Sequence, residues 1–139
     1  MIVTPSRNRP VPLFVYGTLR SAGTLHHYWL DGVDMQPAVV RGYELRVFSD
    51  QAVYPFMVAQ PGGVVVGEVA WVTDPVMLRR VTNMEVNAGY RSTWVTVDFE
   101  KHNVGVEALA FVYPHPIGDH VIVDGDWISY ADQFTLQPM

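Results

Sequence analysis

Two features of the sequence combine residue types that could do chemistry: a glutamate with apolar neighbours and a glycine in a tight loop. Glu85 has Met84 and Val86 beside it and Tyr90 nearby. An apolar setting raises the pKa of a carboxyl toward neutrality, where one group can accept a proton and later return it. Gly17 follows a short apolar segment, and the backbone N–H groups of such a turn can bind an anion without a cationic side chain.

Each of these features also has a purely structural interpretation. Glu85 could be an exposed glutamate at the end of a helix, as most glutamates are. The segment Tyr16–Leu19 could be only a strand end and a turn. Arg20 could steer an anionic substrate or be a solvated or ion-paired group, and Tyr54 and Tyr90 could line a pocket or pack in the core. The residues alone leave these alternatives open.

The composition argues against several other kinds of site. The 139-residue chain has no cysteine, which excludes disulfides, zinc–thiolate sites and a cysteine nucleophile. Its histidines lack the spacing of metal ligands, so we expect no metal. A Gly-x-Ser-x-Gly element is absent, which disfavours a serine hydrolase. Gly62-Gly63 lacks the following lysine of a phosphate loop, and we expect no cofactor.

The net charge and the length of the apolar runs limit which partners and which cellular location are expected. The formal net charge is −5, whereas a general nucleic-acid binder would be basic, so no nucleic-acid partner is expected. Apolar runs such as Val64-Val65-Val66 are far shorter than the ~20 residues of a membrane span, and the N-terminus lacks a secretory signal. We therefore predict a cytoplasmic protein that acts on a small molecule, with no membrane partner and with its oligomeric state open.

Most of the predicted secondary-structure elements that position the candidate site residues are strands. Apolar and β-branched runs predict strands that cluster in hairpins over residues 54–72 and 93–113. Pro61-Gly62-Gly63 supplies the turn of the first hairpin. The extended segments cover residues 13–16, 37–47, 54–59, 64–72, 93–99 and 107–113.

Two or three short helices complete the prediction. The main helix opens at Asp74-Pro75, with Asp74 or Thr73 as its cap, and ends between residues 85 and 87. A shorter helix over residues 24–30 has Thr24 as its cap, and the tail holds one or two helical turns.

Hairpins combined with few helices favour an α+β fold with a mostly antiparallel, barrel-like sheet. The chain length suits one domain. We predict a flexible leader over residues 1–12 and a single domain over residues 13–139.

The segment Tyr16-Gly17-Thr18-Leu19-Arg20, which follows an apolar strand, resembles the opening motif of the γ-glutamylcyclotransferase-like family, including its AIG2-like, γ-glutamylamine cyclotransferase branch. Further matches follow in family order. The resemblance spans residues 13 to about 130 and implies the fold of that family. The further matches are Tyr54-Pro55, Val66-Gly67-Glu68-Val69, Met84-Glu85, Gly89-Tyr90-Arg91 and Gly125-Asp126-Trp127 with Tyr130.

The resemblance implies a reaction. In this family the free α-amine of a γ-glutamyl group attacks its own γ-carbonyl, which gives 5-oxoproline and releases an amine or amino acid, with no cofactor. It implies that Glu85 is the catalytic residue. The implied substrate-binding residues are Tyr16, Gly17, Thr18 and Leu19, with Arg20, Tyr54 and Tyr90 as further candidates.

One departure from the family pattern lies beside the implied catalytic residue. Many relatives follow the glutamate directly with glycine, whereas Val86 and Asn87 follow Glu85 here. The identity of the leaving amine therefore stays open. Two other functions also stay open: a non-catalytic module that binds a small carboxylated or amide ligand in the same pocket, and an interaction protein whose pocket is vestigial.

Overall fold

The computed structural model describes residues 4–47, 55–99, 102–114 and 120–135. Within these residues the chain forms six strands and three helices. The strands are β1 (Val11–Val15), β2 (Asp34–Val47), β3 (Phe56–Val72), β4 (Arg91–Phe99), β5 (His102–Val112) and β6 (His120–Val121). The helices are α1 (His26–Trp29), α2 (Pro75–Asn87) and α3 (Trp127–Thr135).

Five of the strands close into a barrel-like sheet. The order runs β3-β1-β5-β4-β2, and β2 pairs back onto β3 to close the ring, while the short β6 adds to β2. All pairings are antiparallel except that of β1 with β5, where Leu13 lies opposite Leu109. The predicted α+β fold with a mostly antiparallel, barrel-like sheet is therefore confirmed.

The predicted hairpin over residues 54–72 is wrong. From Phe56 onward this segment is the single strand β3, and β2 pairs with both halves of it: Glu44 lies opposite Val58, and Val39 opposite Val66. The register shifts between Arg41 and Tyr43, so the two long strands bend together at a bulge rather than reversing. The other predicted hairpin, residues 93–113, is confirmed as the β4–β5 pair.

Two glycines permit this bend. Gly42 and Gly62 have φ values of +86° and +82°, a region that side-chain-bearing residues rarely adopt. A Cβ atom on the neighbouring Gly63 would lie only 2.2 Å from the Tyr43 carbonyl oxygen. Pro61-Gly62-Gly63 therefore marks a close approach of two strands, which the sequence pattern does not distinguish from a chain reversal.

β1 is covered on both faces, which explains its nearly continuous apolar sequence. Phe14 belongs to the cluster that fills the barrel. Leu13 and Val15 point to the opposite face, where they join Leu78 and Val81 of α2 in a second cluster. α2 therefore packs on the outside of the barrel, against the strand that leads into the Tyr16–Leu19 loop.

The main helix begins and ends as predicted. The Asp74 carboxylate accepts a 2.9 Å hydrogen bond from the Val76 N–H, and Pro75 occupies the first turn. The helix ends at Asn87, before Gly89, whose φ is +97°. α3 likewise confirms a helix in the tail.

The short helix differs from its prediction. α1 covers only His26–Trp29, and Leu25 precedes it without a side-chain cap, so Thr24 is not the N-cap. Turns occupy the preceding residues, because the Gly23 N–H donates to the Arg20 carbonyl (2.6 Å) and the Leu25 N–H to the Thr18 carbonyl (2.9 Å).

The described part of the predicted leader is held by local contacts. Ser6 and Arg9 exchange two backbone hydrogen bonds of 3.1 Å. Val11 and Pro12 already belong to β1. In the stretches that the structure describes, no helix has both the length and the apolar character that crossing a bilayer requires.

Candidate active site

The packing of α2 against β1 brings Glu85, at the end of α2, close to the loop that begins at Tyr16, at the end of β1. β1 ends at Val15 and delivers Tyr16 into the barrel cluster, where its hydroxyl donates a 2.5 Å hydrogen bond to the Phe111 carbonyl of β5. Glu85 lies in the last turn of α2. Its carboxyl is close enough to Tyr16 to contribute to raising the pKa of the tyrosine.

Glu85 has the property expected of a proton-transfer group at neutral pH. Its side chain is half-buried, and burial raises the pKa of the carboxyl from 4.5 to about 7. No residue in the described stretches donates a hydrogen bond to this carboxyl, so nothing among them offsets the cost of ionising it there. Near pH 7 both protonation states are populated, as a group that accepts and returns a proton requires.

Tyr16 stays neutral beside it. Burial is the main cause that holds the pKa of the Tyr16 hydroxyl well above its usual value, with smaller contributions from Tyr90 and Glu85 in the same direction; a backbone hydrogen bond involving Met57 acts against them. The hydroxyl is anchored on the Phe111 carbonyl. Tyr16 is therefore a fixed, uncharged group close to Glu85.

Aromatic rings form a wall next to Glu85. The Tyr90 hydroxyl donates a 2.6 Å hydrogen bond to the Pro55 carbonyl. Tyr90 meets Tyr113 edge-on with ring centroids 6.0 Å apart, and Tyr113 contacts Phe56 at 5.3 Å. Tyr90 follows Glu85 closely in the chain, with its N–H donating a 3.0 Å hydrogen bond to the Glu85 carbonyl, so these rings lie beside the end of α2.

Pro55 also explains why residue 17 is a glycine. A Cβ atom on Gly17 would lie 2.7 Å from the Pro55 Cγ atom, a distance that real contacts do not reach. The loop therefore packs directly on the residue that accepts the Tyr90 hydrogen bond. The predicted site residue Tyr54 lies outside the described residues.

The rest of the loop folds into consecutive turns. The Arg20 N–H donates to the Gly17 carbonyl at 3.1 Å, and the Leu19 side chain is buried in the outer apolar cluster. Among the described residues, none accepts a hydrogen bond from the backbone N–H of Thr18 or Leu19. These two groups can therefore serve an oxygen atom of a ligand.

Arg20 occupies a different environment from the other loop residues. Its Nη1 atom donates a 2.7 Å hydrogen bond to Asp126 Oδ1, and its Nε atom lies 3.6 Å from Glu68 Oε1. The structure thus places Arg20 in the ion-paired environment that was its alternative interpretation. Neither Glu68 nor Asp126 was predicted to have a role at the site, although both lie in the motifs that carry the family resemblance.

The described residues were also compared with the requirements of a metal site. Within the ranges that the structure describes, no cluster of three histidine, aspartate or glutamate side chains could hold a metal ion. The arrangement around Glu85 can nonetheless move a proton and bind a carbonyl or carboxylate oxygen with backbone groups.

Comparisons with known proteins give a consistent assignment of the fold. The profile of the family described as "Gamma-glutamyl cyclotransferase, AIG2-like" matches residues 13–129. An uncharacterized protein from Pyrococcus horikoshii shares 25% sequence identity at a TM-score of 0.71, over 93% of this chain and 99% of that one. The comparison with curated proteins found no significant match.

Two further solved structures share the fold at lower identity. An AIG2-like protein from Mus musculus is 22% identical at a TM-score of 0.64, over 77% of this chain and 80% of that one. A structure described as a gamma-glutamyl cyclotransferase is 15% identical at a TM-score of 0.62, over 80% and 69% of the two chains.

Proposed function

The chain belongs to the gamma-glutamyl cyclotransferase, AIG2-like family, and we propose that it converts a small γ-glutamyl amine or γ-glutamyl amino acid to 5-oxoproline and a free amine. Glu85 acts first as general base and then as general acid. The observation that carries the proposal is the Glu85 carboxyl, whose pKa burial raises to about 7 beside the buried Tyr16.

The reaction needs one group that handles a proton twice. The α-amine of the substrate is an ammonium ion near neutral pH, and Glu85 in its carboxylate form removes one proton from it. The amine nitrogen then attacks the γ-carbonyl carbon and closes the five-membered ring, and this nitrogen gives up its second proton to solvent to become the lactam N–H. As the bond from that carbon to the leaving nitrogen breaks, Glu85 returns the proton to the leaving amine. A pKa near 7 suits both steps.

The loop supplies the second requirement, which is a place for negative charge. The γ-carbonyl oxygen becomes an oxyanion in the transition state, and the substrate also carries an α-carboxylate. The N–H groups of Thr18 and Leu19, which have no acceptor among the described residues, can bind one of these oxygens. Gly17 lets the backbone approach closely.

Positioning supplies much of the remaining rate enhancement. Ring closure is intramolecular, so a pocket that holds the substrate in attack geometry removes much of the barrier. Tyr90, fixed by its hydrogen bond to the Pro55 carbonyl, and Tyr113 form the apolar side of that pocket. The hydroxyl of Tyr16, anchored on Phe111, adds a wall that does not exchange protons at neutral pH.

The test is the release of 5-oxoproline from a panel of γ-glutamyl amino acids and γ-glutamyl amines by the wild type and by Glu85→Gln. Glutamine keeps the size and polarity but cannot transfer a proton. We expect a loss of about a hundredfold or more in kcat. Glu107→Gln is the matched control, because Glu107 is an exposed carboxylate that accepts a hydrogen bond from Thr96 on the outer face of the sheet.

Other results would redirect the assignment. Release that survives Glu85→Gln would remove Glu85 from the mechanism. If the wild type releases nothing from any substrate, the same panel is tested for binding, and binding without turnover would identify a ligand-binding module.

A further inference from the structure

Glu68 is the most enclosed charged residue that the structure describes. It lies on β3 with 7% of its surface exposed. Its carboxylate is not isolated: Oε1 accepts a 2.8 Å hydrogen bond from the Ser21 N–H, and Oε2 accepts one of 2.8 Å from the Ser21 hydroxyl. Arg20 adds its positive charge, with Nε 3.6 Å from Oε1. Both oxygens of Glu68 are therefore bound to the end of the Tyr16–Leu19 loop.

Arg20 extends this network to the C-terminal helix. The Asp126 Oδ1 atom that accepts the 2.7 Å hydrogen bond from Arg20 also accepts from the Ile128 N–H (3.1 Å) and the Ser129 N–H (3.3 Å). Asp126 is thus both the cap of α3 and the partner of Arg20. The network joins three chain segments, and its weakest link is the Arg20 Nε atom, which lies 3.6 Å from Glu68 Oε1 and has no hydrogen-bond acceptor among the described residues.

The barrel backbone places Glu68 under the loop. Glu68 is paired with Val15, the last residue of β1, so its side chain lies beside the point where the loop begins. The Val66 N–H donates a 2.8 Å hydrogen bond to the Gly125 carbonyl, which brings Asp126 to the same side. Gly125 has a φ of +68°, and a Cβ atom on it would lie 2.1 Å from the Val64 carbonyl oxygen. The end of β1, the middle of β3 and the segment before α3, which are far apart in sequence, thus lie in contact beside the loop.

We propose that Glu68 is a positioning residue: by holding both polar groups of Ser21 it fixes the loop so that the Thr18 and Leu19 N–H groups face the reacting oxygen. The inference rests on the proposed cyclotransferase function and extends it to a residue that touches no substrate. Ser21 is two residues beyond Leu19, so a shift of Ser21 moves both N–H groups. A misplacement of about 1 Å in such a contact can cost up to about a hundredfold in rate.

The proposal has a kinetic signature. Hydrogen bonds to a developing oxyanion strengthen in the transition state, so their loss lowers kcat more than it raises KM. Proton transfer by Glu85 is a separate element. The pH dependence of kcat/KM should therefore keep its midpoint when the loop is disturbed.

The experiment measures steady-state release of 5-oxoproline by Glu68→Gln and Ser21→Ala, with folding verified by circular dichroism. For Glu68→Gln we expect kcat to fall by about tenfold or more, KM to stay within about twofold, and the midpoint of the pH profile to be unchanged. Ser21→Ala removes only the hydroxyl contact and should lose roughly threefold. Glu44→Gln is the matched control, since Glu44 forms a 2.8 Å ion pair with Arg46 on β2.

The outcomes that overturn the proposal are distinct. With an active wild type, a folded Glu68→Gln whose kcat stays within twofold, or in which only KM changes, refutes it. If Glu68→Gln does not fold, an unchanged kcat in Ser21→Ala refutes it. A wild type with no activity refutes the proposed function itself, and the positioning role with it.

Discussion

Two glutamates at one end of the barrel, Glu68 and Glu85, are both withdrawn from water and differ in what surrounds them. Glu68 is the more buried, yet it accepts two hydrogen bonds from Ser21 and faces Arg20. Glu85 is half-buried, receives no hydrogen bond from the described residues, and has its pKa raised to about 7 by burial. Depth alone therefore does not make a carboxyl a proton-transfer group, because partners can offset the cost of desolvation.

One loop joins the two carboxyls. Tyr16, at its start, lies close enough to Glu85 for the carboxyl to affect the pKa of its hydroxyl, and Ser21, at its end, is bound to Glu68. In our proposal, the partnered carboxylate of Glu68 holds the loop backbone, and the carboxyl of Glu85, which has no hydrogen-bond donor among the described residues, exchanges protons. A carboxylate that positions a loop requires hydrogen-bond donors, whereas a carboxyl that exchanges protons near pH 7 requires burial without them.

The sharpest test of this contrast is to make the same substitution at both positions and measure stability. Glu68→Gln removes the charge that faces Arg20 and replaces an acceptor oxygen with an NH₂ group. Arg20 keeps its 2.7 Å contact with Asp126, so the loss stays below that of an orphaned buried charge. We expect the free energy of unfolding to fall by about 2–3 kcal/mol in urea titrations at pH 7.5.

The control for that measurement is Glu44→Gln, which removes a less buried ion pair and should cost less than about 1 kcal/mol. If Glu68→Gln is as stable as the control, the carboxylate of Glu68 does not hold the loop, and the contrast between the two glutamates disappears.

Glu85→Gln should change stability in the opposite direction. Because the pKa of Glu85 is raised from 4.5 to about 7 in the folded protein, the folded state binds the proton more tightly than the unfolded state. The stability of the wild type therefore declines as the pH rises from 4.5 to about 7, and the full cost persists above that range. Allowing for the partial exposure of the side chain, we expect the variant to be about 1–2 kcal/mol more stable than the wild type at pH 8.

The pH dependence distinguishes this effect from a simple packing change. The advantage of Glu85→Gln should be much smaller at pH 5, where the wild-type carboxyl is mostly protonated in the folded state. A stability difference that stays constant between pH 5 and pH 8 would show that Glu85 ionises freely.

Much of the fold could be predicted from local patterns, and its main error shows where such patterns fail. The Asp74-Pro75 start of α2 and the alternation in β4 identify these elements because their signals are local. Pro61-Gly62-Gly63 suggested a reversal, whereas β3 continues through it. That outcome depends on β2 pairing with both halves of the strand, which no local pattern encodes.

The candidate site also contains residues that local motifs identify and contacts that they do not. Glu85 and the Tyr16–Leu19 loop could be identified because they lie in short motifs of the family. The contacts of Glu68 could not, because Ser21 lies 47 residues away from it along the chain. A glutamate in an alternating strand predicts only a strand residue. The ion pair between Arg20 and Asp126, separated by 106 positions, was equally inaccessible from the sequence.

The smallest expected effect on stability comes from Gly17→Ala, which disturbs the Glu85 side of the loop without touching Glu68. The new Cβ atom would meet the Pro55 ring at 2.7 Å. Such overpacking costs about 1–3 kcal/mol, and the reduced freedom of the unfolded chain offsets about 0.4–1 kcal/mol of it. A net loss of about 1 kcal/mol is therefore expected in urea titrations.

Activity should respond to Gly17→Ala more than stability does, because Pro55 also accepts the hydrogen bond of Tyr90 beside Glu85. A shift of Pro55 therefore moves Tyr90, next to Glu85, and we expect kcat/KM for 5-oxoproline release to fall by about tenfold. Gly105→Ala is the control, because its Cβ atom would lie 3.0 Å from the methyl group of the exposed Thr96 and at ordinary contact distance, 3.8 Å or more, from the other nearest atoms. If the two variants have equal activity, the pocket of Glu85 is independent of the loop. The two carboxyls would then act separately rather than through the loop that joins them.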